Sequence, residues 1–384
     1  MSENEIRNTR RVFLKDTSYM ALGLFSLNMI LPAAASCQSN DTHTEKGMEN
    51  EQKASKLGIA LVGLGGYSEE QLAPALKETK YCRLAGIVTG TPSKAAKWKK
   101  KYDIPDQNVY NYQNFDSIKD NKEIDIVYVV LPNGMHAEYV IRAAKAGKHV
   151  ICEKPMAVTV KECEDMIQAC KEAGVMLSIG YRLHFEPFNL EMARLGQNKV
   201  FGNIKTMQAT NGFVLPKGVW RADKKLAGGG PLMDLGVYCV QGVIYTIGEL
   251  PIAITAKEGK KTDKEKFKTV EESISWTMEF ANGAIAKCNT SYAEDLNILR
   301  AEAENGYFQL SPSYGYHGLQ GETSKGKMNF PDVYEQALQM DDFAQCVIDK
   351  KPTKVPGEMG LRDVKILMAI YEAANAGKRV ELQW

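Results

Sequence analysis

Residues 57–180 alternate short apolar runs with longer amphipathic stretches. The apolar runs predict strands at Leu57–Val62, Arg83–Val88 and Ile124–Pro132, and in the segments HVICEKP and VMLSIG. Helices are predicted between them, at Ser68–Lys77, Pro92–Tyr102, Met135–Gly147 and Thr159–Ala173. Runs rich in β-branched residues that alternate with helices indicate a parallel, doubly wound α/β sheet.

After Gly180 the pattern changes to longer strand-like stretches. These are IKTMQATNGFV, PIAITAKE, VEESISWTMEF, GAIAKCNTSY and NILRAEAE. Asn282–Gly283 and Asn305–Gly306 are typical of tight hairpin turns. Residues 181–384 are therefore predicted to form an α+β domain with a large open, mostly antiparallel sheet. One face should pack on helices, which are predicted near Val333–Lys350 and Glu358–Gly377, and the other should be free to meet a partner.

Residues 1–37 have the pattern of an export signal. The motif RRVFLK at Arg10–Lys15 fits the twin-arginine pattern, and an apolar stretch follows. Ala33–Ala35 offer a signal-peptidase site, whereas the residues up to Cys37 offer a lipoprotein site with a lipid on that cysteine. Residues 38–56 lack an apolar period and are predicted to form a polar tether. We expect a periplasmic or envelope-anchored protein; a buried helix with a chance arginine pair is the alternative.

Composition excludes some classes of partner. The chain has 384 residues, which at about 150 residues per domain predicts two or three domains. Its 48 basic and 47 acidic residues leave a formal charge of +1 and form no basic stripe, so no nucleic-acid partner is expected. The eight cysteines match no metal-binding spacing, so no metal site is predicted and the cysteines of the body are expected to be small buried residues. A disulfide in an oxidising compartment is the alternative, although no spacing specifies one.

The segment LGIALVGLGGYS places a glycine-rich turn between a predicted strand and a predicted helix. Gly63 allows a tight turn, Gly65 lets the backbone approach a pyrophosphate, and Ser68 takes the third small position. The free N–H groups at the helix N-terminus favour an anion. Residues 57–180 are therefore predicted to be a dinucleotide-binding Rossmann domain, although a plain glycine turn is the alternative. The predicted contacts are Gly63, Leu64, Gly65, Gly66, Tyr67 and Ser68.

The end of the second predicted strand indicates which dinucleotide binds. The sequence there is Val88-Thr89-Gly90-Thr91, without the acid that holds the ribose hydroxyls of NAD. Thr89 can hydrogen-bond a phosphate, and Lys94 lies one helical turn beyond. Together with Gly90 these residues favour NADP, with NAD as the alternative if Lys94 is only a surface lysine.

Two further segments carry candidate chemistry. Glu153 and Lys154 follow the strand HVIC, so they are expected at the carboxyl edge of the sheet, where a lysine can stabilise an alkoxide as a hydride leaves. Asp234 and Tyr238 are four residues apart in an apolar stretch, which predicts one shared helix face. A lysine near Tyr238 would favour that phenol as a proton acceptor and donor. The alternatives are a surface ion pair and a core tyrosine bonded to a carbonyl.

These motifs resemble the Gfo/Idh/MocA oxidoreductases over about Leu57–Trp384, with further matches in LPNGMHAEYVIRAAKAGKHVICEKPMA, IGYRLHFEPFN, WRADKKLAGGGPLMDLGVY and PGEMGLRDVKILMAIYEAANAGKRV. The sequence is especially similar to the glucose–fructose oxidoreductase branch. Most relatives have a histidine four residues after the aspartate, where this chain and that branch have tyrosine. The resemblance implies a Rossmann domain followed by an open sheet that carries the substrate site and the interface of a homodimer or homotetramer.

The resemblance also implies roles for individual residues. Lys154 corresponds to the family's catalytic lysine, and it is implied to act on substrate together with Asp234 and Tyr238. Substrate contact is also implied for Tyr181, and a cis bond before Pro155. Further cofactor contacts are implied for Leu131, Asn133, His136, Glu153, Lys154, Arg182, Trp220 and Arg221.

The implied activity is NADP-dependent oxidation and reduction of CH–OH groups of sugars. Because export removes the protein from soluble nicotinamide pools, we expect one tightly bound NADP to exchange a hydride between two sugars. The alternatives are a redox-assisted glycosidase or lyase, a simple sugar or polyol dehydrogenase, and a non-catalytic sugar-binding lipoprotein. The chain departs from the branch in two ways: Gln38–Lys56 contains no proline, which argues against the branch's proline-rich arm, and the segment before Trp220 is shorter. The identity of the sugars therefore does not carry over.

Overall fold

The structure is a computed structural model that describes residues 56–384. The predicted export signal, Cys37 and the tether before Lys56 lie outside the described residues. Within the described part of the chain, no helix is both long enough and apolar enough to cross a membrane.

The first sheet has six strands, all parallel, in the order β3-β2-β1-β4-β5-β6. The strands are β1 Leu57–Val62, β2 Cys82–Val88, β3 Val109–Tyr110, β4 Ile126–Val129, β5 His149–Cys152 and β6 Leu177–Ile179. The strand order reverses at β1, which lies between β2 and β4. In open α/β sheets, such a reversal places a ligand crevice beyond the carboxyl ends of the strands.

Helices cover both faces of this sheet, as strands that are apolar on both sides require. The helices that follow its strands are Ala73–Glu78, Pro92–Tyr102, His136–Lys145 and Val160–Ala173. Ala60 packs into the apolar cluster on one face, and Ile59 packs into the cluster on the other. The second cluster includes Met340 and Phe343 from the helix Glu335–Asp349. A late helix, predicted within the C-terminal part, thus completes the core of the N-terminal sheet.

The second sheet has nine strands in the order β14-β13-β12-β11-β7-β10-β9-β8-β15. The strands are β7 Ile204–Gly212, β8 Pro251–Glu258, β9 Ser273–Phe280, β10 Ile285–Ser291, β11 Leu296–Ala303, β12 Gly306–Leu310, β13 Gly321–Thr323, β14 Gly326–Lys327 and β15 Val380–Glu381. The predicted Asn-Gly turns connect β9 to β10 and β11 to β12, and both pairs are antiparallel. Only β7 and β10 pair in parallel, so the predicted fold class is confirmed.

The two faces of the second sheet differ. On one face, Trp276 and Met278 are buried, and the helices Val237–Ile247 and Gly357–Ala376 pack against the sheet. The other face presents polar side chains such as Ser275 and Lys287 around a shallow groove of about 690 Å³. The α-helix Pro187–Gln197 lies in the connection from β6 to β7, and the short α-helix Lys224–Ala227 lies in the connection from β7 to β8.

The cysteines of residues 56–384 behave as small core residues. All seven are free thiols, and only Cys346 is not fully buried. The structure places no group of three or more His, Cys, Asp or Glu side chains within residues 56–384 where it could hold a metal ion.

Candidate active site

A cleft of about 680 Å³ opens beyond the carboxyl ends of β1, β2, β4 and β5. Each of these strands ends one residue or a few residues before a predicted site residue, which explains why segments far apart in sequence meet here. The predicted residues that line the cleft are Gly63, Leu64, Gly65, Gly66, Tyr67, Thr89, Gly90, Lys94, Leu131, Asn133, Glu153, Lys154, Trp220, Arg221, Asp234 and Tyr238.

The glycine-rich turn leaves room for a phosphate group. Gly63 has a φ of +96°, and a Cβ on it would lie 2.4 Å from the carbonyl oxygen of Val130. A Cβ on Gly65 would meet nothing within 4 Å, so the chain leaves open space beside that backbone. The hydroxyl of Ser68 donates a hydrogen bond to the carbonyl of Gly63 at 2.6 Å, and this bond stabilises the turn. The residues present therefore fit a pyrophosphate at this turn.

The helix after the turn differs from the prediction at its start. Ser68–Leu72 form a π-helical turn, and the α-helix spans Ala73–Glu78. Ser68 is fully buried, so it supports the turn and does not line the cleft, although the sequence predicted a cofactor contact.

One end of the cleft is formed by residues that follow β2. The hydroxyl of Thr89 accepts a hydrogen bond from the N–H of Thr91 at 3.2 Å, while Lys94 is exposed on the following helix. A Cβ on Gly90 would lie 2.8 Å from the ring of Tyr112, which forms a wall that sequence reasoning missed. No acidic side chain lines the cleft among Thr89, Gly90, Thr91, Lys94, Tyr112 and Gln113. This composition fits a phosphorylated ribose better than a free diol.

Lys154 and Asp234 form the centre of the other end. The Lys154 Nζ donates to the Asp234 carbonyl oxygen at 2.8 Å and to Oδ1 at 3.1 Å. The second carboxylate oxygen, Oδ2, accepts from Arg221 Nε at 2.9 Å and from the Tyr292 hydroxyl at 3.0 Å. An ammonium group has three N–H donors, so one N–H of Lys154 remains for a ligand. The bond between Lys154 and Pro155 is cis.

The electrostatics keep this cluster charged. Burial alone would raise the pKa of Asp234, but Lys154 and Arg221 lower it to about 2. Burial alone would lower the pKa of Lys154, but the neighbouring Tyr238, Asp234 and Glu153 together raise it above its ordinary value. The carboxylate and the ammonium are therefore both ionised across the physiological pH range.

Tyr238 lines the cleft beside this cluster. The Lys154 Nζ lies 4.7 Å from the centre of its ring, so the ammonium contacts the ring face. The sequence predicted one helix for Asp234 and Tyr238, but Leu232–Gly236 form a π-helical turn and Val237–Ile247 the α-helix. Both side chains nevertheless reach the cleft.

The carboxylate of Asp234 should stabilise the folded protein. Replacing Asp234 by Asn leaves Lys154 and Arg221 without their charged partner, and we expect a loss of about 2 kcal/mol or more in the free energy of unfolding. A lowered pKa contributes stability above the unfolded-state pKa, and that contribution is lost only as pH falls toward the folded-state value of about 2. Urea unfolding should therefore give the same difference at about pH 5 and about pH 8.

The exposed Asp165, which pairs with Lys161, provides the matched control. Asp165→Asn should change the unfolding free energy little, because exposed pairs contribute little. An Asp234→Asn difference that shrinks between about pH 8 and about pH 5 would contradict the assignment of a low pKa.

Glu153 is a buried acid at the cleft wall. The Tyr128 hydroxyl donates to its Oε1 at 2.6 Å, and Gln339 Nε2 donates to that hydroxyl at 2.9 Å. Burial raises the pKa of Glu153, against the opposing effect of the Tyr128 hydrogen bond. A Cβ on Gly180 would lie 2.5 Å from Oε1, so a larger residue there would displace this carboxyl group.

Three other predicted contacts lie behind the cleft wall. The ring nitrogens of His136 are bonded to the carbonyls of Leu131 at 2.8 Å and Pro155 at 3.0 Å, and burial lowers the pKa of the imidazole. Arg182 is only 2% exposed and pairs with Glu335. Tyr181 is also buried and lines a separate small void. These three side chains do not line the cleft in the structure and are placed to support its wall, so the cofactor and substrate contacts expected for them stay predictions.

The structure adds two tyrosines and one glutamate that the sequence analysis did not single out. Tyr316, in the loop between β12 and β13, lines the same cleft as Lys154. Tyr292 donates its hydroxyl to Asp234. Glu271, predicted within a strand, lies before β9 and accepts from the N–H groups of Gly230 and Leu232. No sequence motif marks these positions, because each acts through a partner far away in the chain.

The cleft fits a dinucleotide laid across the strand ends, with the Lys154 and Asp234 cluster at one end. This fold and this site define an oxidoreductase that uses a nicotinamide dinucleotide. Residues 57–181 match the sequence model of a family described as "Oxidoreductase family, NAD-binding Rossmann fold", and residues 189–303 match the "GFO/IDH/MocA C-terminal domain".

Similar proteins of known structure or activity are also oxidoreductases. The solved structure of aldose-aldose oxidoreductase from Caulobacter crescentus is 38% identical, covers 85% of this chain and 100% of its own, and superposes with a TM-score of 0.83. D-xylose 1-dehydrogenase [NADP(+)] from Haloarcula marismortui is 26% identical over 84% of this chain and 92% of its own. D-glucoside 3-dehydrogenase from Escherichia coli is 26% identical over 87% of this chain and 100% of its own. The chain belongs to the Gfo/Idh/MocA family of oxidoreductases.

Proposed function

We propose that this protein is an exported, NADP-dependent sugar oxidoreductase that exchanges a hydride between two sugars on one bound cofactor. The observation that carries the proposal is the convergence of Lys154, Asp234 and Tyr238 at one end of the dinucleotide cleft. Sugars as substrates are supported by the names of the relatives, one of which acts between two aldoses. Export is supported by the twin-arginine motif at Arg10–Lys15.

The side chains divide the chemistry among them. Bound NADP supplies the acceptor and donor of the hydride. The third N–H of Lys154 holds the reacting oxygen of the sugar and stabilises its negative charge. As the C–H bond of the first sugar breaks, its hydride would pass to the nicotinamide, its C=O would form, and the phenolate of Tyr238 would take the hydroxyl proton; the phenol would return that proton when the second sugar is reduced. Asp234 positions Lys154 and Arg221 through the contacts described above.

The proposal is tested by following the bound cofactor. The protein is purified without added nicotinamide, and the small molecules released by denaturation are identified by mass. Aldoses are then added one at a time to intact protein while the near-ultraviolet absorbance of reduced nicotinamide is recorded. We expect released NADP, a rise in absorbance with at least one aldose, and a loss of that absorbance when a second sugar follows.

Two outcomes would contradict the proposal. Protein that emerges without cofactor and reacts only with added nicotinamide would be an ordinary dehydrogenase. A cleaved glycoside without net oxidation would instead indicate the redox-assisted glycosidase or lyase.

Lys94 should determine the preference for NADP. Lys94→Ala removes the exposed cation at the adenosine end, and we expect NADPH affinity to fall by about tenfold while NADH affinity changes little. Fluorescence titration of cofactor-free protein measures both affinities. Lys97→Ala, on the same helix but paired with Glu69, is the control and should leave both unchanged. Equal losses for the two cofactors in Lys94→Ala would refute a 2′-phosphate contact.

The proposal also includes a homo-oligomer. The polar face of the nine-stranded sheet has no helix across its groove of about 690 Å³ among the described residues. A second copy of the chain is the occupant that we propose, in line with the interface that the family resemblance implies.

A further inference from the structure

The loop that carries Tyr316 is held rigidly by the second sheet. The Asn297 Oδ1 in β11 accepts from the Ser313 N–H at 2.7 Å and from the Tyr314 N–H at 2.9 Å. The guanidinium of Arg182 donates to the carbonyls of Tyr314 at 2.6 Å and Gly315 at 3.0 Å. Every residue from Ser313 to Gly315 is therefore fixed by at least one hydrogen bond, and Tyr316 follows directly.

Arg182 is itself fixed by a buried acidic partner. Its Nη1 donates to Glu335 Oε1 at 2.6 Å, and the two side chains are only 3% and 2% exposed. Glu335 begins the helix that covers the N-terminal sheet. A buried ion pair with fixed geometry holds the loop of the second sheet against the first sheet.

Tyr316 lines the cleft next to the glycine-rich turn. Its ring lies 4.4 Å from the Arg182 Cζ and 5.8 Å from the ring of Tyr67, which stands between Gly66 and Ser68. Tyr316 remains 39% exposed, so part of its side chain is accessible where it lines the cleft. We call Tyr67, Tyr316 and Arg182 the aromatic bridge.

We infer that the aromatic bridge slows release of the dinucleotide by closing over the cleft between the pyrophosphate turn and the Lys154 end. A bound dinucleotide that spans the cleft leaves only after Tyr316 separates from Tyr67 and Arg182. The Tyr67–Tyr316 ring pair, tilted by 30°, and the cation–π contact with Arg182 each add to the barrier for that separation. The inference rests on the proposed function only in that the dinucleotide is NADP. It supplies a means of retention in a chain that lacks a proline-rich arm.

The test measures the dissociation of NADPH from the loaded protein. NADPH-loaded protein is mixed with excess NADP⁺, and the loss of protein-enhanced NADPH fluorescence gives the rate. Tyr316→Ala should raise this rate by about tenfold, whereas Tyr316→Phe, which keeps the ring, should stay near the wild-type rate. If Tyr316→Ala fails to fold, Tyr316→Leu replaces it. Leucine keeps bulk but has no ring, so this variant should also raise the dissociation rate by about tenfold.

A control and a double variant complete the design. Tyr81 is 43% exposed and lies outside the cleft, so Tyr81→Ala should leave the rate unchanged. Tyr67→Ala combined with Tyr316→Ala should release NADPH little faster than either single variant, because both remove the same contact. A Tyr316→Ala rate within about twofold of wild type would overturn the inference, since the expected ring contacts exceed that effect.

The outcome is independent of the hydride exchange. If Tyr316→Ala releases NADPH faster but no second sugar oxidises the bound NADPH, the inference about the aromatic bridge is supported and the proposed function is contradicted. If two sugars exchange hydride while the Tyr316 variants release NADPH at the wild-type rate, the inference about the aromatic bridge is contradicted and the proposed function is supported.

Discussion

Replacing Tyr238 by Phe is expected to lower turnover by about a hundredfold or more while NADP stays bound, because only the group that accepts and returns the proton is removed. The ring, its contact with Lys154 at 4.7 Å and the shape of the cleft should be retained. Single-turnover measurements with loaded protein separate this effect from cofactor binding. The oxidation of the first sugar and the reduction of the second should slow together, since the same proton moves in both.

Tyr245→Phe is the matched control on the same helix. Its hydroxyl donates to Asn189, away from the Lys154 cluster, so the variant should keep its turnover even if it is less stable. An unchanged rate in Tyr238→Phe would remove Tyr238 from the chemistry.

Replacing Lys154 by Met is expected to lower turnover by about a hundredfold to a thousandfold, since the ammonium that stabilises charge on the reacting oxygen is lost. The cofactor affinity should change much less, because the glycine-rich turn and Lys94 hold the other end of the dinucleotide. Asp234 keeps Arg221 and the Tyr292 hydroxyl as partners, so the variant should still fold. The measurement is the rate of hydride transfer under saturating sugar.

Two further lysine variants sharpen this result. Lys154→Arg keeps the positive charge and should recover part of the rate, because its guanidinium can still donate to Asp234. Lys161→Met removes an exposed lysine that follows soon after in the chain and should have no effect. A Lys154→Met variant with wild-type turnover would reduce this lysine to a structural partner of Asp234.

Much of the first sheet could be predicted because its signals are local. Leu57–Val62 is a continuous apolar run, and the observed β1 has the same bounds. Pro92–Tyr102 also matches, because proline stands in the first turn and Asp103 ends the helix in a left-handed conformation. Strand β3 was not predicted, because two residues carry no periodicity.

The site was predictable where residues follow directly after strands. Gly63, Thr89 and Lys154 reach the cleft because the carboxyl ends of parallel strands share one edge. Arg182 was expected in the cleft, but Glu335 and the carbonyls of another loop hold its guanidinium behind the wall. Such partners come from tertiary structure, and no local pattern in the sequence reveals them.

The roles of Asp234 and Tyr316 show the same limit. Spacing indicated that Asp234 and Tyr238 share a helix face. The structure shows in addition that the carboxylate oxygens of Asp234 accept hydrogen bonds from Lys154, Arg221 and Tyr292. In the proposed mechanism Asp234 therefore positions Lys154. Tyr316 lies between two short strands and has no motif, so only the folded chain brings it to Tyr67.

The most direct test of hydride exchange on one bound cofactor is a count of products per protein in the absence of free nicotinamide. Loaded protein is freed of unbound cofactor and incubated with an aldose that reduces the bound NADP and a second sugar that oxidises it. Oxidised and reduced sugars are then quantified. The account predicts equal amounts of the two products, rising with time far beyond the amount of bound cofactor. Product formation that stops at one oxidised sugar per bound cofactor, and resumes only when NADP is added, would contradict it.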